Sequence, residues 1–200
     1  MSYPLFFETA ISLTMYDPLA ELLGAAEKGL IEYTYTDIVK LAGHSCPTVA
    51  GAYLMTIKAL EHLYGDEYPQ RGDINVEFRD DQLHQVTGVM ANVVGFMTGA
   101  TTDSGFKGLA GKYDRRNLMS FNAPIGAEIQ FQRRDTGTKV GVNFNASVVP
   151  AAPGLMPMLQ KILAGKANPD EKRQFAAAWQ ERVGKILANV DHPDLVTYAR

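Results

Sequence analysis

The chain has 200 residues, of which 46% are hydrophobic and 20% charged, so it can bury the core of one globular domain and is not collagen-like, disordered or coiled-coil. Its formal net charge of −3, without any block of Lys or Arg, argues against a nucleic-acid or anionic-membrane partner. The single cysteine, Cys46, excludes an intrachain disulfide and any zinc finger or iron–sulfur cluster built from several thiolates.

The N-terminal residues and the hydropathy pattern indicate where the protein resides. Residues 1–8 lack the basic start and the uninterrupted apolar run of a signal peptide. No stretch reaches the roughly 18 consecutive apolar residues that a membrane-spanning helix needs. We therefore expect a cytoplasmic protein that has neither a membrane nor a nucleic acid as its partner.

Capping signals and hydrophobic periodicity predict the first elements of the chain. Asp17, followed by a proline, predicts the N-cap of a short amphipathic helix that ends near Gly29. The apolar face of this helix would consist of Leu19, Leu22, Leu23 and Ala26. Alternation over residues 31–35 predicts a strand, after which Thr36 would cap a brief helix that ends at a glycine.

Three elements with stronger patterns follow. Residues 47–64 predict a long helix whose first half is buried on all sides and whose second half faces water on one side. Residues 73–78 alternate strictly between polar and apolar and therefore predict a half-buried strand. Residues 86–98 predict a helix inside the domain, because the apolar run is interrupted and is too short to cross a membrane.

The next part of the chain predicts a loop, a strand and a hairpin. Residues 99–111 form a polar, glycine-rich loop, and a strand is expected around residues 118–121. Residues 127–133 and 138–146 alternate on either side of an Arg-Asp-Thr-Gly turn. This pattern is the clearest hairpin in the chain.

A composition break at Pro150 separates the hairpin from a helical C-terminal segment. Asn168, followed by a proline, predicts the N-cap of the last helix, whose apolar stripe around Trp179 would pack on the core or on a second subunit. Helices and antiparallel strands occur in separate groups, which predicts an α+β fold in which an antiparallel sheet packs with helices. We expect a core at residues 1–150 and a helical extension of the same domain at residues 151–200.

The candidate site lies around the only thiol. Cys46 directly precedes Pro47, and proline favours the first turn of a helix, so Cys46 is expected at the N-cap of the long helix. The free N–H groups and the positive dipole end at that position stabilise an anionic sulfur. His44, two residues earlier, could pair with the thiolate or share a metal ion with it, which suits nucleophilic catalysis as well as zinc binding.

Plainer interpretations of these residues remain open. A lone cysteine often serves as a small buried hydrophobe, and a histidine two residues away does not by itself define a site. A metal ion would need further ligands, for which His84 and three acidic residues after the predicted strand are candidates. The acidic residues are Glu77, Asp80 and Asp81. For each of the four, the favoured interpretation is a solvated polar residue in a surface turn.

The glycine-rich loop is a second candidate feature. Its glycines let the backbone approach a ligand, and Thr101, Lys107 and Arg115 could bind an anionic group. The spacing of the glycines does not match a Walker-type phosphate loop. A plain polar connection between a buried helix and a strand explains the composition of this loop as well.

Residues 43–47, Gly-His-Ser-Cys-Pro, followed by a long helix, resemble the opening signature of a family named after the E component of formylmethanofuran dehydrogenase. Further along, that family has a Thr-Gly-x-Thr segment, a Lys-Gly element and an Asn-Leu strand, and residues 98–101, 107–108 and 117–118 match them in order. The resemblance covers about residues 30–146. It implies a dimeric α+β core with a cleft in which the His and the Cys bind a divalent metal, usually zinc.

The chain departs from this family in two respects. Some members carry a C-terminal zinc finger with several cysteines, which a chain with one cysteine cannot form. Other members place a second cysteine ahead of the Thr-Gly segment, where this chain has Val89, Met90 and Ala91. Any metal is therefore expected to have at most one sulfur ligand per protomer.

Three hypotheses follow. The first is a metal-binding protein in which His44, Cys46 and His84 hold a zinc-like ion, and in which Thr101, Lys107 and Arg115 contact a small anionic ligand. The second is a metal-free thiol enzyme or redox protein in which Cys46 is the nucleophile and His44 the base. The third is a non-catalytic accessory subunit that docks a partner through its C-terminal helix. The sequence leaves open whether the protein is an enzyme.

Overall fold

A five-stranded sheet in the order β4-β3-β5-β6-β7 is the centre of the computed structural model of the chain, which describes residues 3–199. The strands are β1 (Leu13–Tyr16), β2 (Leu30–Tyr33), β3 (Ile74–Phe78), β4 (Met119–Ser120), β5 (Ile129–Arg133), β6 (Lys139–Phe144) and β7 (Val196–Ala199). The helices are α1 (Phe6–Thr9), α2 (Pro18–Leu22), α3 (Tyr35–Ala42), α4 (Pro47–Tyr64), α5 (Thr87–Thr98), α6 (Leu155–Leu163) and α7 (Pro169–Ala188). Strands β1 and β2 form a separate antiparallel pair.

The helix α4 packs on the apolar face of the large sheet, against β5, β6 and β7. This face is supplied by alternate strand residues such as Val76, Phe131 and Val142, each of them at most 1% exposed. Gly51 allows the close approach, because a Cβ atom at that position would lie 2.5 Å from the ring of Phe144. Helices α5 and α7 pack on α4, so the first half of α4 is enclosed as the sequence predicts.

Several predicted elements are confirmed. The long helix spans Pro47–Tyr64 with Cys46 at its N-cap, and the half-buried strand spans Ile74–Phe78. The hairpin pairs Ile129 with Val142 and Phe131 with Val140 around the predicted turn. The α+β class is confirmed as well, because helices and a separate, largely antiparallel sheet build one core.

Four predictions about the elements are wrong. Helix α2 ends at Leu22 rather than near Gly29, because the backbone turns at Gly24 with a φ of 66°. Two of the leucines predicted to face the core, Leu22 and Leu23, are instead 58% and 64% exposed. The N-cap of α3 is Thr34 rather than Thr36. The large sheet is mixed, since β3 and β4 are parallel. The C-terminal segment is not wholly helical, because β7 pairs with β6.

The C-terminal segment completes the hydrophobic core. Val183, Ile186 and Leu187 of α7 are at most 3% exposed and belong to the same apolar cluster as α4 and the sheet. Trp179 packs on this cluster from its edge. The predicted apolar stripe therefore faces the core of its own chain. Among the helices formed by residues 3–199, none is long and apolar enough to span a membrane.

The two ends of the sheet hold different groups of residues. At one end, Arg133 of β5 lies opposite Ile74, the first residue of β3. The Nη1 atom of Arg133 donates to the carbonyl of Leu63, in the last turn of α4, at 3.2 Å. The N–H of Gly72, just before β3, donates to the carbonyl of Thr98 at 2.8 Å. Helices α4 and α5 thus both finish where β3 begins, and both start at the opposite end of the sheet.

Candidate functional site

The start of α4 places Cys46 and His44 two residues apart, with a partly buried thiol and an exposed imidazole. The Sγ atom of Cys46 accepts a hydrogen bond from the N–H of Val49 at 3.4 Å, which makes the sulfur the N-cap of the helix. The Nδ1 atom of the exposed His44 lies 2.9 Å from the carbonyl oxygen of Ala42. Because a carbonyl only accepts, Nδ1 is the donor in this contact, and in the neutral ring Nε2 is then the nitrogen with the free lone pair.

Helices α3 and α7 fix the residue between these two side chains. The carbonyl oxygen of the buried Ser45 accepts hydrogen bonds from Nε1 of Trp179 at 3.0 Å and from Nε2 of Gln180 at 3.1 Å. The Ser45 hydroxyl lies 3.0 Å from the hydroxyl of Tyr35. Burial raises the pKa of Tyr35 above its ordinary value, so this phenol keeps its proton at neutral pH. Sequence patterns did not indicate the contact from α7.

The predicted third ligand does not join this pair. His84 lies in the turn before α5, with its side chain 53% exposed and its Nδ1 atom 3.9 Å from Oδ2 of Asp80. Asp81 accepts from Asn122 at 2.9 Å, and Glu77 accepts from Gln130 on the sheet. Across residues 3–199, no three His, Cys, Asp or Glu side chains are grouped closely enough to hold a metal ion.

A buried charge cluster lies at the other end of α5. The side chain of Arg115 is only 7% exposed, and its Nη2 atom donates to Oδ1 of Asp17 at 2.7 Å. Arg71 donates from Nη1 to Oδ2 of the same carboxylate at 3.1 Å. Burial opposes ionisation of Asp17, but hydrogen bonds and charge from Arg115, supported by Arg71, hold its pKa below the ordinary value. Asp17 is therefore ionised at neutral pH.

The two arginines differ in how well their donors are satisfied. Arg71 also donates from Nε and Nη2 to the carbonyls of Met97 and Phe96, both at 3.1 Å, at the last turn of α5. The Nε and Nη1 atoms of Arg115 are buried and have no hydrogen-bond partner within the described part of the chain. Two donors of a buried guanidinium thus remain unpaired.

The predicted ligand-binding residues divide between this cluster and the surface. Thr101 donates from Oγ1 to the carbonyl of Arg115 at 2.8 Å, and both residues line a cavity of about 410 Å³ together with Asp17 and Arg71. Lys107 is exposed and does not line that cavity. The structure therefore brings together two of the three residues.

The cavity is separate from the thiol. Neither Cys46 nor His44 lines it. Helix α5, with 12 residues, spans about 18 Å along its axis at the usual rise per residue, and the cavity lies at its C-terminal end. The start of α4, which includes Cys46, lies at the opposite end of the sheet. Within one chain, the predicted metal pair and the predicted anion-binding residues are two sites.

Comparison with known protein families gives a match over most of the chain. Residues 41–193 match the family described as FmdE, Molybdenum formylmethanofuran dehydrogenase operon. This range includes the Cys46 helix start, the charge cluster apart from Asp17, and the helix α7 that contacts Ser45. It begins later and ends later than the resemblance expected from motifs, so most of the C-terminal segment belongs to the family region. No curated protein matches the chain.

Proposed function

The chain belongs to the FmdE family, and from this premise we propose that His44 and Cys46 together bind a divalent metal ion such as zinc. The observation that carries the proposal is the pair of contacts at the start of α4. Cys46 holds its sulfur at a helix N-terminus, where it accepts from the N–H of Val49, and His44 is held through Nδ1 so that Nε2 is available. One sulfur and one imidazole nitrogen are donors that zinc prefers.

The number of donors determines what kind of metal site this would be. Two protein ligands leave open positions on an ion that prefers four, in contrast to a closed structural zinc site. When bound, such an ion supplies Lewis acidity to a small molecule that reaches an open position. His44 is exposed and Cys46 is partly buried, so the site is accessible from solvent. We therefore propose a ligand-binding or catalytic role rather than a structural one.

Metal binding is tested by titrating the tag-free protein with Co²⁺, a zinc substitute whose absorption spectrum reports a thiolate ligand. We expect a sulfur-to-metal band in the wild type, its loss in Cys46→Ser and at least about tenfold weaker binding in His44→Ala, since each variant removes one of two ligands. His192→Ala is the matched control, because His192 lies in a turn near the C-terminus with Nδ1 accepting from the N–H of Asp194. His84→Ala tests the predicted third ligand.

Equal Co²⁺ affinity and an unchanged spectrum in Cys46→Ser and His44→Ala would overturn the proposal. Fluorescence gives a second readout, because Trp179 is the only tryptophan and donates to the carbonyl next to Cys46. A change in its emission on adding metal is expected in the wild type and in His192→Ala. The same change should be absent from the two ligand variants.

A metal-free thiol function is a second candidate, and the absence of a grouped third ligand among the described residues favours it. In this case His44 Nε2 would serve as a base for the Cys46 sulfur. Alkylation of Cys46 with iodoacetamide separates the two candidates. Rapid alkylation that a chelator leaves unchanged supports the metal-free thiol, whereas protection that a chelator removes supports the metal.

A further inference from the structure

The charge cluster at the end of α5 is not balanced by its own residues. Two guanidinium groups, those of Arg71 and Arg115, share the single carboxylate of Asp17. The carbonyls at the end of α5 satisfy Arg71 but do not reach Arg115. A buried cation with unpaired donors is costly, so an anion that supplies the missing acceptors would be bound favourably.

Two glycines let the backbone lie close against the unpaired donors. A Cβ atom at Gly99 would lie 2.6 Å from Nη1 of Arg115, and one at Gly72 would lie 3.2 Å from its Nε. Gly99 lines the cavity of about 410 Å³, and Gly72 lines a neighbouring cavity of about 310 Å³. Arg115 lines both cavities. Its two unpaired nitrogens therefore lie beside wall residues of these two spaces.

The larger cavity combines this charge with an apolar wall. Leu19, Ala20 and Leu23 of the α2 region and Phe106 of the glycine-rich loop line it together with the arginines. Leu23 and Phe106 are 64% and 38% exposed, although both are large and apolar. A volume in the range of ordinary ligand pockets, with charged and apolar wall residues, suits a small amphipathic acid.

We propose that this cavity binds a small organic oxyanion, a carboxylate or phosphate ester with a short apolar body, through Arg115. The acid group would pair with the unsatisfied guanidinium donors, and the apolar body would lie against Phe106 and the leucines of the α2 region. Thr101 fixes the main chain of Arg115 through two hydrogen bonds to its carbonyl, at 2.8 and 3.0 Å. This site is independent of the proposed metal pair, because the cavity lies at the C-terminal end of α5 and the pair lies at the start of α4.

The test is calorimetric titration of the full chain with hexanoate, acetate and inorganic phosphate, against sodium chloride at matched ionic strength. We expect binding above the chloride background, with hexanoate tighter than acetate because only hexanoate reaches the apolar wall. Arg115→Lys keeps the charge beside Asp17 but loses the fork of donors and should weaken binding at least about tenfold. Arg116→Lys is the matched control, since Arg116 pairs with Asp114 outside the larger cavity.

A second variant keeps the test decisive if Arg115→Lys does not fold. Phe106 lies at the cavity wall with part of its surface in solvent, so Phe106→Ala should fold and should weaken hexanoate while leaving phosphate unchanged. Binding in Cys46→Ser should equal that of the wild type.

Three results would overturn the proposal. The first is the absence of binding above chloride, and the second is equal affinity in a folded Arg115→Lys protein. The third is loss of anion binding in Cys46→Ser, which would place the ligand at the thiol instead. If phosphate binds and hexanoate does not, the acid group is supported and the apolar part of the proposal is overturned.

Discussion

Asp17 carries three roles at once, and its protonation should be visible in the stability of the protein. It caps α2 through the N–H groups of Leu19 and Ala20 and accepts hydrogen bonds from the buried Arg115 and the partly buried Arg71. We predict that Asp17→Asn lowers the free energy of unfolding at about pH 7 by about 3 kcal/mol, because two guanidinium groups lose their counter-charge. Urea unfolding measures this loss, and Asp66→Asn, at an exposed turn residue, is the control.

The pH dependence of that loss follows from the direction of the pKa shift. The pKa of Asp17 is lowered in the folded state, so its stabilisation is present above the ordinary value of about 3.9 and is lost as pH falls through the lower folded value. The difference between wild type and Asp17→Asn should therefore shrink as the pH is lowered below about 4. A difference that stays constant into strong acid would contradict this role.

Sequence patterns identify the helix cap at Cys46 but not the cluster of Asp17, Arg71 and Arg115. The separation of the interacting residues along the chain explains this difference. The cap formed by Cys46 depends on residues within one helical turn, and the Cys-Pro pair indicates it directly. The same local signal identifies Asp17 as a cap. Its partners Arg71 and Arg115 lie 54 and 98 residues away, and no periodicity or spacing links them.

At the scale of elements, α7 holds the segment before α4 because two of its side chains, Trp179 and Gln180, donate hydrogen bonds to the carbonyl of Ser45. Trp179→Phe or Gln180→Met leaves the Ser45 carbonyl one hydrogen bond, so each should cost about 1 kcal/mol. The double variant leaves a buried carbonyl unpaired and should cost more than the sum of the two. A double-mutant cycle in guanidinium chloride, monitored by circular dichroism, measures this coupling, and additivity within about 0.5 kcal/mol would contradict it.

The elements that the sequence predicts best are those with a cap and a long repeat. The last helix begins at its predicted N-cap, Asn168, which forms a capping box with Glu171. Strand β7 has only four residues and exists because it pairs with β6, which a local pattern does not reveal. In α2, the periodic leucines predict burial, but the helix ends before their spacing can place them on one buried face.

At the scale of the molecule, the C-terminal segment is part of the single core rather than an appendage to it. Leu195 is fully buried, and Val196 starts a strand that extends the sheet beside β6. Lys58 of α4 donates to Asp191 at 2.8 Å, and the hydroxyl of Tyr198 donates to the carbonyl of the same lysine at 3.2 Å. These contacts link the end of the chain to the helix that begins with Cys46.

This integration predicts one cooperative unfolding transition for the whole chain. Leu195→Ala should lower the free energy of unfolding by about 2–5 kcal/mol, because it opens a cavity under the last strand. The matched control is Leu163→Ala in α6, where the side chain is 78% exposed and the change should stay within about 0.5 kcal/mol. Trp179 fluorescence reports unfolding of α7, whereas far-ultraviolet circular dichroism reports unfolding of the whole fold. The two urea unfolding curves should therefore coincide in the wild type and shift together in Leu195→Ala. Separate midpoints would contradict this prediction, because they would show that the surroundings of Trp179 and the rest of the fold do not unfold in one step.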